Sequence, residues 1–68
     1  MNPDIEHRFT YHAPKADQAE RYQMIRDRAK ELAYLLTDLC PPGRELSLAL
    51  TNLEQVVFWG NASIARGE

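Results

Sequence analysis

Leu39-Cys40-Pro41-Pro42-Gly43-Arg44 is the stretch that divides this chain. Two successive prolines lack the N–H donors that a helix needs and block its continuation. Upstream, Tyr22, Ile25, Ala29, Leu32, Leu36 and Leu39 recur at three-four spacing, a narrow seam of coiled-coil type. Downstream, Leu46, Ala49, Leu53, Val56 and Gly60 repeat the spacing. A turn this short makes the second helix an antiparallel neighbour of the first. The expectation is one all-α domain over 1–68: an arm over 1–16, a helix over 17–39, a turn over 40–43 and a helix over 44–66.

The start of the first helix has the form of a capping box. Asp17 can accept from the Glu20 N–H while the Glu20 side chain reaches back. Ahead of it, Asn2-Pro3 can open one short helical turn. In Phe9-Thr10-Tyr11-His12-Ala13-Pro14, the aromatic and β-branched residues favour extended backbone, and Pro14 disfavours helix at Ala13. Gly67 fits a stop signal for the second helix.

The second helix carries too much apolar surface for one hairpin. Leu48, Leu50, Val57, Phe58 and Trp59 are surplus to its seam and point in different directions around a 3.6-residue turn. A chain of 68 residues buries too little to spare such surface. Small folds usually make up the deficit with disulfides, metal or oligomerisation. Cys40 is the only cysteine, which excludes an internal disulfide and a cysteine-based zinc site within one chain. Oligomerisation remains, giving an oligomeric helical bundle.

Charge and composition narrow the function. The formal net charge of −2 argues against a binder of DNA or RNA polymers. Met1-Asn2-Pro3-Asp4 has neither a basic start nor an apolar run. No segment reaches the roughly 18–20 apolar residues that span a bilayer. The expectation is a soluble cytoplasmic protein with no membrane partner. His7 and His12 match no zinc spacing, and no metal or cofactor is expected. Three scattered glycines make no phosphate loop, and no nucleophile–base set is assembled, so the chain does not read as an enzyme.

Two features keep binding in view. Gly60 and Ala62 flank Asn61, which favours tight helix packing and offers a neighbouring chain both a donor and an acceptor. Tyr11 is either a plain hydrophobic anchor on the arm or a stacking face. An arm aromatic with helix arginines is what a ligand containing nucleobases and phosphates needs. A helical interaction or adaptor module with no nucleotide ligand is the competing reading.

Arg8-Phe9-Thr10-Tyr11-His12-Ala13-Pro14, Pro42-Gly43-Arg44-Glu45, Leu53-Glu54-Gln55 and the run FWGNASIAR at 58–66 together resemble the phage cyclic-oligonucleotide sponges that block bacterial CBASS immunity. The family pattern is closer to W-A-N-A, and Gly60 replaces its alanine here. The resemblance implies a helical hairpin assembled as a homohexamer in the cytoplasm of the infected bacterium. It implies sequestration of cyclic nucleotides without cleavage, with dinucleotide pockets formed between two protomers. It carries base stacking onto Tyr11 and phosphate contact onto Arg26, a position that is commonly lysine in relatives. His12 and Arg8 complete that candidate set. Some members also hold cyclic trinucleotides near a threefold axis, which carries onto Arg66 and Arg28.

Overall fold

The computed structural model describes Ile5 and residues 13–68. Two antiparallel helices form a hairpin, α1 at Gln18–Leu39 and α2 at Arg44–Gly67, with no strand among the described residues. The expected helical turn at the head of the arm falls outside these residues, apart from Ile5, whose backbone is helical.

The turn follows from the prolines. Cys40 is extended, at φ −109° and ψ 137°, because the ring of a following proline crowds out the helical region. Its N–H still donates to Leu36 O at 2.9 Å, closing the last turn of α1. Gly43 O then accepts from the Ser47 N–H at 3.1 Å and starts α2. At the far end, Gly67 does not stop the helix. α2 includes it as its last residue, and no glycine adopts the left-handed conformation.

The expected capping box at Asp17 does not form. Asp17 makes no side-chain cap hydrogen bond, and its Oδ1 accepts from Arg21 Nε at 3.1 Å. A related closure occurs two residues earlier in the chain. The Lys15 N–H donates to Gln18 Oε1 at 2.9 Å, while the Gln18 N–H donates to Lys15 O at 2.9 Å. This is the reach-back half of a capping box, made by Gln18 on the residue three before it. Ala16 pays for the tight turn with a φ of 47°, a left-handed conformation that costs an L-residue about 1–2 kcal/mol.

The two seams meet in a register shifted from the expected one. On α2 the half-buried stripe runs Leu46, Leu50, Leu53, Val57, Gly60 and Ile64, so Val56 is exposed and Val57 takes its place. On α1, Ala33 and Cys40 are half-buried, while Leu32 and Leu39 point outward. Ile25, Leu36 and their equivalents therefore repeat at eleven residues rather than seven, a period that favours a right-handed rather than a left-handed supercoil. The small side chains of Ala29 and Ala33 allow α2 to lie close, and the leucines beside them turn away.

No hydrophobic residue among those described is buried; the sole buried residue is Gln18. Fully burying a Leu, Ile or Phe side chain is worth about 1.5–3 kcal/mol, and each seam residue here collects only part of that. The longer helix, α2, has 24 residues and is about 36 Å long at 1.5 Å per residue. The protomer is one helix layer with both faces open.

Candidate functional site

Three candidate arginines lie on described parts of the chain, and helical geometry sorts them. Arg26 and Arg28 are two residues apart on α1, about 200° around the helix axis, so they face opposite sides of the hairpin. Tyr22 lies one turn before Arg26 on the same face. On α2, Phe58, Asn61, Ala62, Ala65 and Arg66 share the face that meets them.

These residues enclose an open groove of about 430 Å³, walled by Tyr22 and Phe58 and flanked by Arg26 and Arg66. No carboxylate lines it. A chain of net charge −2 thus keeps a groove with two positive charges and aromatic walls. Arg26 is exposed, its Nη2 donates to Gln23 Oε1 at 3.0 Å, and it makes no ion pair among the described residues. Arg66 makes no ion pair among the described residues. Asn61 Oδ1 is buried without a hydrogen-bond partner. A desolvated carbonyl left unmatched costs about 1–3 kcal/mol.

Arg28 sits in a different setting. It donates to Glu31 Oε2 at 3.2 Å, and the shallow surface around it is lined by Glu20, Asp27 and Glu31. Within one protomer Arg28 and Arg66 border no common groove. Arg26 and Arg66, assigned to separate ligand classes by the sequence, border the same one. Tyr11, His12 and Arg8 lie outside the described residues, as does His7. Among the described residues no three metal-ligating side chains cluster.

One feature of the site has no signature in residue spacing. Gln18, Arg21 and Glu68 form a clasp across the open end of the hairpin. Arg21 Nη1 donates to Glu68 Oε2 at 2.7 Å, and Nη2 donates to Glu68 Oε1. Gln18 Nε2 adds a bond to Glu68 Oε1 at 3.2 Å. The hydrogen bonds from Arg21, and then from Gln18, pull the Glu68 carboxyl down to about 2. The same contact pushes the Arg21 guanidinium above its ordinary value. The partners are 47 residues apart, so no local pattern reveals them.

Among the described residues the chain is a hairpin without strands, with open apolar faces and a basic, aromatic-walled groove. The family model of the Acb2/Tad1 hairpin domain matches residues 1–65. The chain belongs to that family, the anti-CBASS sponges, which are binding proteins rather than enzymes. No curated protein and no solved structure matches the chain. No helix of the structure is long and apolar enough to cross a membrane among the residues searched.

Proposed function

We propose that this protein is a phage sponge that binds cyclic dinucleotide immune signals intact, and cyclic trinucleotides in a second pocket, in the cytoplasm of the infected host. Sequestration keeps the signal from its CBASS effector. Tyr11, Arg26, His12 and Arg8 serve the dinucleotide; Arg66, with Arg28 from another protomer, serves the trinucleotide. The observation that carries the reading is the groove itself. Two arginines in a lining that holds no carboxylate, beside two aromatic rings, suit a ligand made of phosphates and bases. Arginine forks match phosphate oxygens in pairs.

The assembly is a homohexamer in this reading. The chain exposes 5777 Å², whereas a folded monomer of 7.8 kDa exposes about 4,400 Å² by size scaling. The surplus exceeds the roughly 800 Å² that one partner gives to an ordinary interface. Apolar residues supply it on both faces, with Met24, Leu32 and Val56 on one and Phe58 and Trp59 toward the end of α2. Closed symmetry with two kinds of axis covers two such faces at once.

Calorimetry against a panel of cyclic di- and trinucleotides, beside light scattering, tests both parts. Binding at a fixed ratio per protomer, with ligand recovered intact after heating, is the expected result. An assembly that binds none of the panel is instead the helical interaction module, and a linearised product that accumulates with time makes the protein an enzyme.

A further inference from the structure

The polar clasp at the open end of the hairpin lies outside the groove. Four side chains converge there. Gln18, only 4% exposed, holds the Lys15 N–H with its oxygen and Glu68 with its nitrogen. Arg21 grips Glu68 with both terminal nitrogens and Asp17 with Nε. One amide therefore ties three parts of the chain: the base of the arm, the start of α1 and the end of α2. The left-handed φ of Ala16 shows that this junction is held against a local preference, because such conformations persist only where surrounding contacts impose them.

The clasp also borders the groove. Ala13 and Lys15 of the arm line a small crevice with Gln18, Tyr22, Arg66 and Glu68. Tyr22, Ala65 and Arg66 line that crevice on one side and the basic groove on the other. The arm base is thus fixed at one mouth of the groove. Tyr11 is two residues upstream of Ala13, a chain distance of about 7 Å at most.

We propose that the Gln18–Arg21–Glu68 clasp is the positioning element of the binding site: it anchors residues 13–16, the base of the arm, at the groove mouth. Its three side chains touch no ligand; they act through Lys15 and the turn at Ala16. The use of the arm in binding rests on the function proposed above, whereas the anchoring does not. With residues 13–16 held in place, their backbone need not be ordered on binding, and each residue left to be ordered lowers affinity by about tenfold.

The variants Gln18→Met and Glu68→Ala remove different bonds of the clasp from the full-length protein. Trypsin cleavage after Lys15, relative to cleavage after Lys30 in the middle of α1, reads the anchoring without any ligand. Titration with cyclic di-AMP and cyclic di-GMP reads its consequence. The expected result is faster cleavage at Lys15 alone in both variants, an unchanged assembly mass, and affinity for the dinucleotide lowered about tenfold. Cleavage that rises equally at Lys15 and Lys30 makes the clasp a general stabiliser and overturns the proposal. Faster cleavage at Lys15 with wild-type affinity overturns the positioning role. If the wild type binds neither dinucleotide, the function proposed above fails on its own, and unchanged cleavage at Lys15 still rejects the anchoring.

Discussion

Gly60→Ala should stabilise this protein, and the structure gives the size of the effect. Gly60 lies inside α2, where its backbone freedom is a liability, and its φ is not positive. Replacing an interior helical glycine by alanine is worth about 1 kcal/mol in helix propensity. A Cβ built there would lie 3.7 Å from Ile25 Cδ1 and 3.9 Å from Ile25 Cγ2, which is ordinary contact with no displacement required. The added methyl is half covered, so it contributes roughly half of the 0.8 kcal/mol of a fully buried carbon. Together these give about 1.4 kcal/mol, or a rise of about 5–10 °C in Tm for a domain of this size. Melting followed through Trp59 fluorescence at matched protomer concentration measures it, since assembly makes Tm concentration-dependent. The single-protomer reasoning is refuted by a lower Tm or a smaller assembly. Either result means that another subunit's backbone occupies the space beside Gly60, where the methyl would clash.

The remaining predictions concern the groove, the open faces and the clasp. Tyr11→Ala and Arg26→Ala should each weaken cyclic dinucleotide binding with the assembly intact; loss of a charge-assisted phosphate bond at Arg26 costs about 1.5–3 kcal/mol, roughly tenfold to more than a hundredfold in affinity. Arg66→Ala should reduce only trinucleotide binding, and a calorimetric loss of both ligand classes would show that the groove shared by Arg26 and Arg66 acts as one site. Trp59→Ser removes an exposed ring that stacks edge-on against Phe58 at 5.0 Å; light scattering should then find smaller species, whereas an unchanged mass means that this end of α2 covers nothing. The depressed Glu68 carboxyl, faced by Arg21 and Gln18 with Asp17, Lys15 and Arg66 nearby, contributes stability that is fully present above its ordinary value of 4.5 and is lost as pH falls toward about 2. The Tm gap between wild type and Glu68→Ala should therefore be open near neutral pH and closed at about pH 2, and a gap that ignores pH would contradict the ion pair.

Local chemistry made the hairpin readable before any coordinates. Pro41 and Pro42 end α1 through missing donors and ring sterics, and the three-four apolar spacing on each side requires two helices that face each other. The surplus of apolar residues on α2 was equally plain, because a helix with apolar side chains on several sides needs more than one neighbour. The motifs of the family were read in the same way, residue by residue. The register was not readable. Val56 and Val57 are both apolar and adjacent, as are Leu32 and Ala33, so spacing alone permits either seam. The choice fell to the packing of one helix on the other, in which the small residues Ala29 and Ala33 admit α2 and Leu32 and Leu39 turn outward.

The site divides along the same line. A list of arginines comes from the sequence, and helical periodicity already separates Arg26 from Arg28. Only tertiary structure brings Arg66 from the end of α2 to the side of Arg26, and only it leaves Arg28 among Glu20, Asp27 and Glu31. The capping at Asp17 was a local expectation that lost to a long-range one. Arg21 takes the Asp17 carboxylate because it is already held in place by Glu68, and Gln18 caps Lys15 because its amide is pinned at both ends. Sequence determines what is encoded within a helical turn or two: the helices, their break and their apolar stripes. Register, the pairing of distant charges and the groove depend on contacts between the two helices, up to 50 residues apart in the chain, whose energies are settled only when the chain has closed on itself.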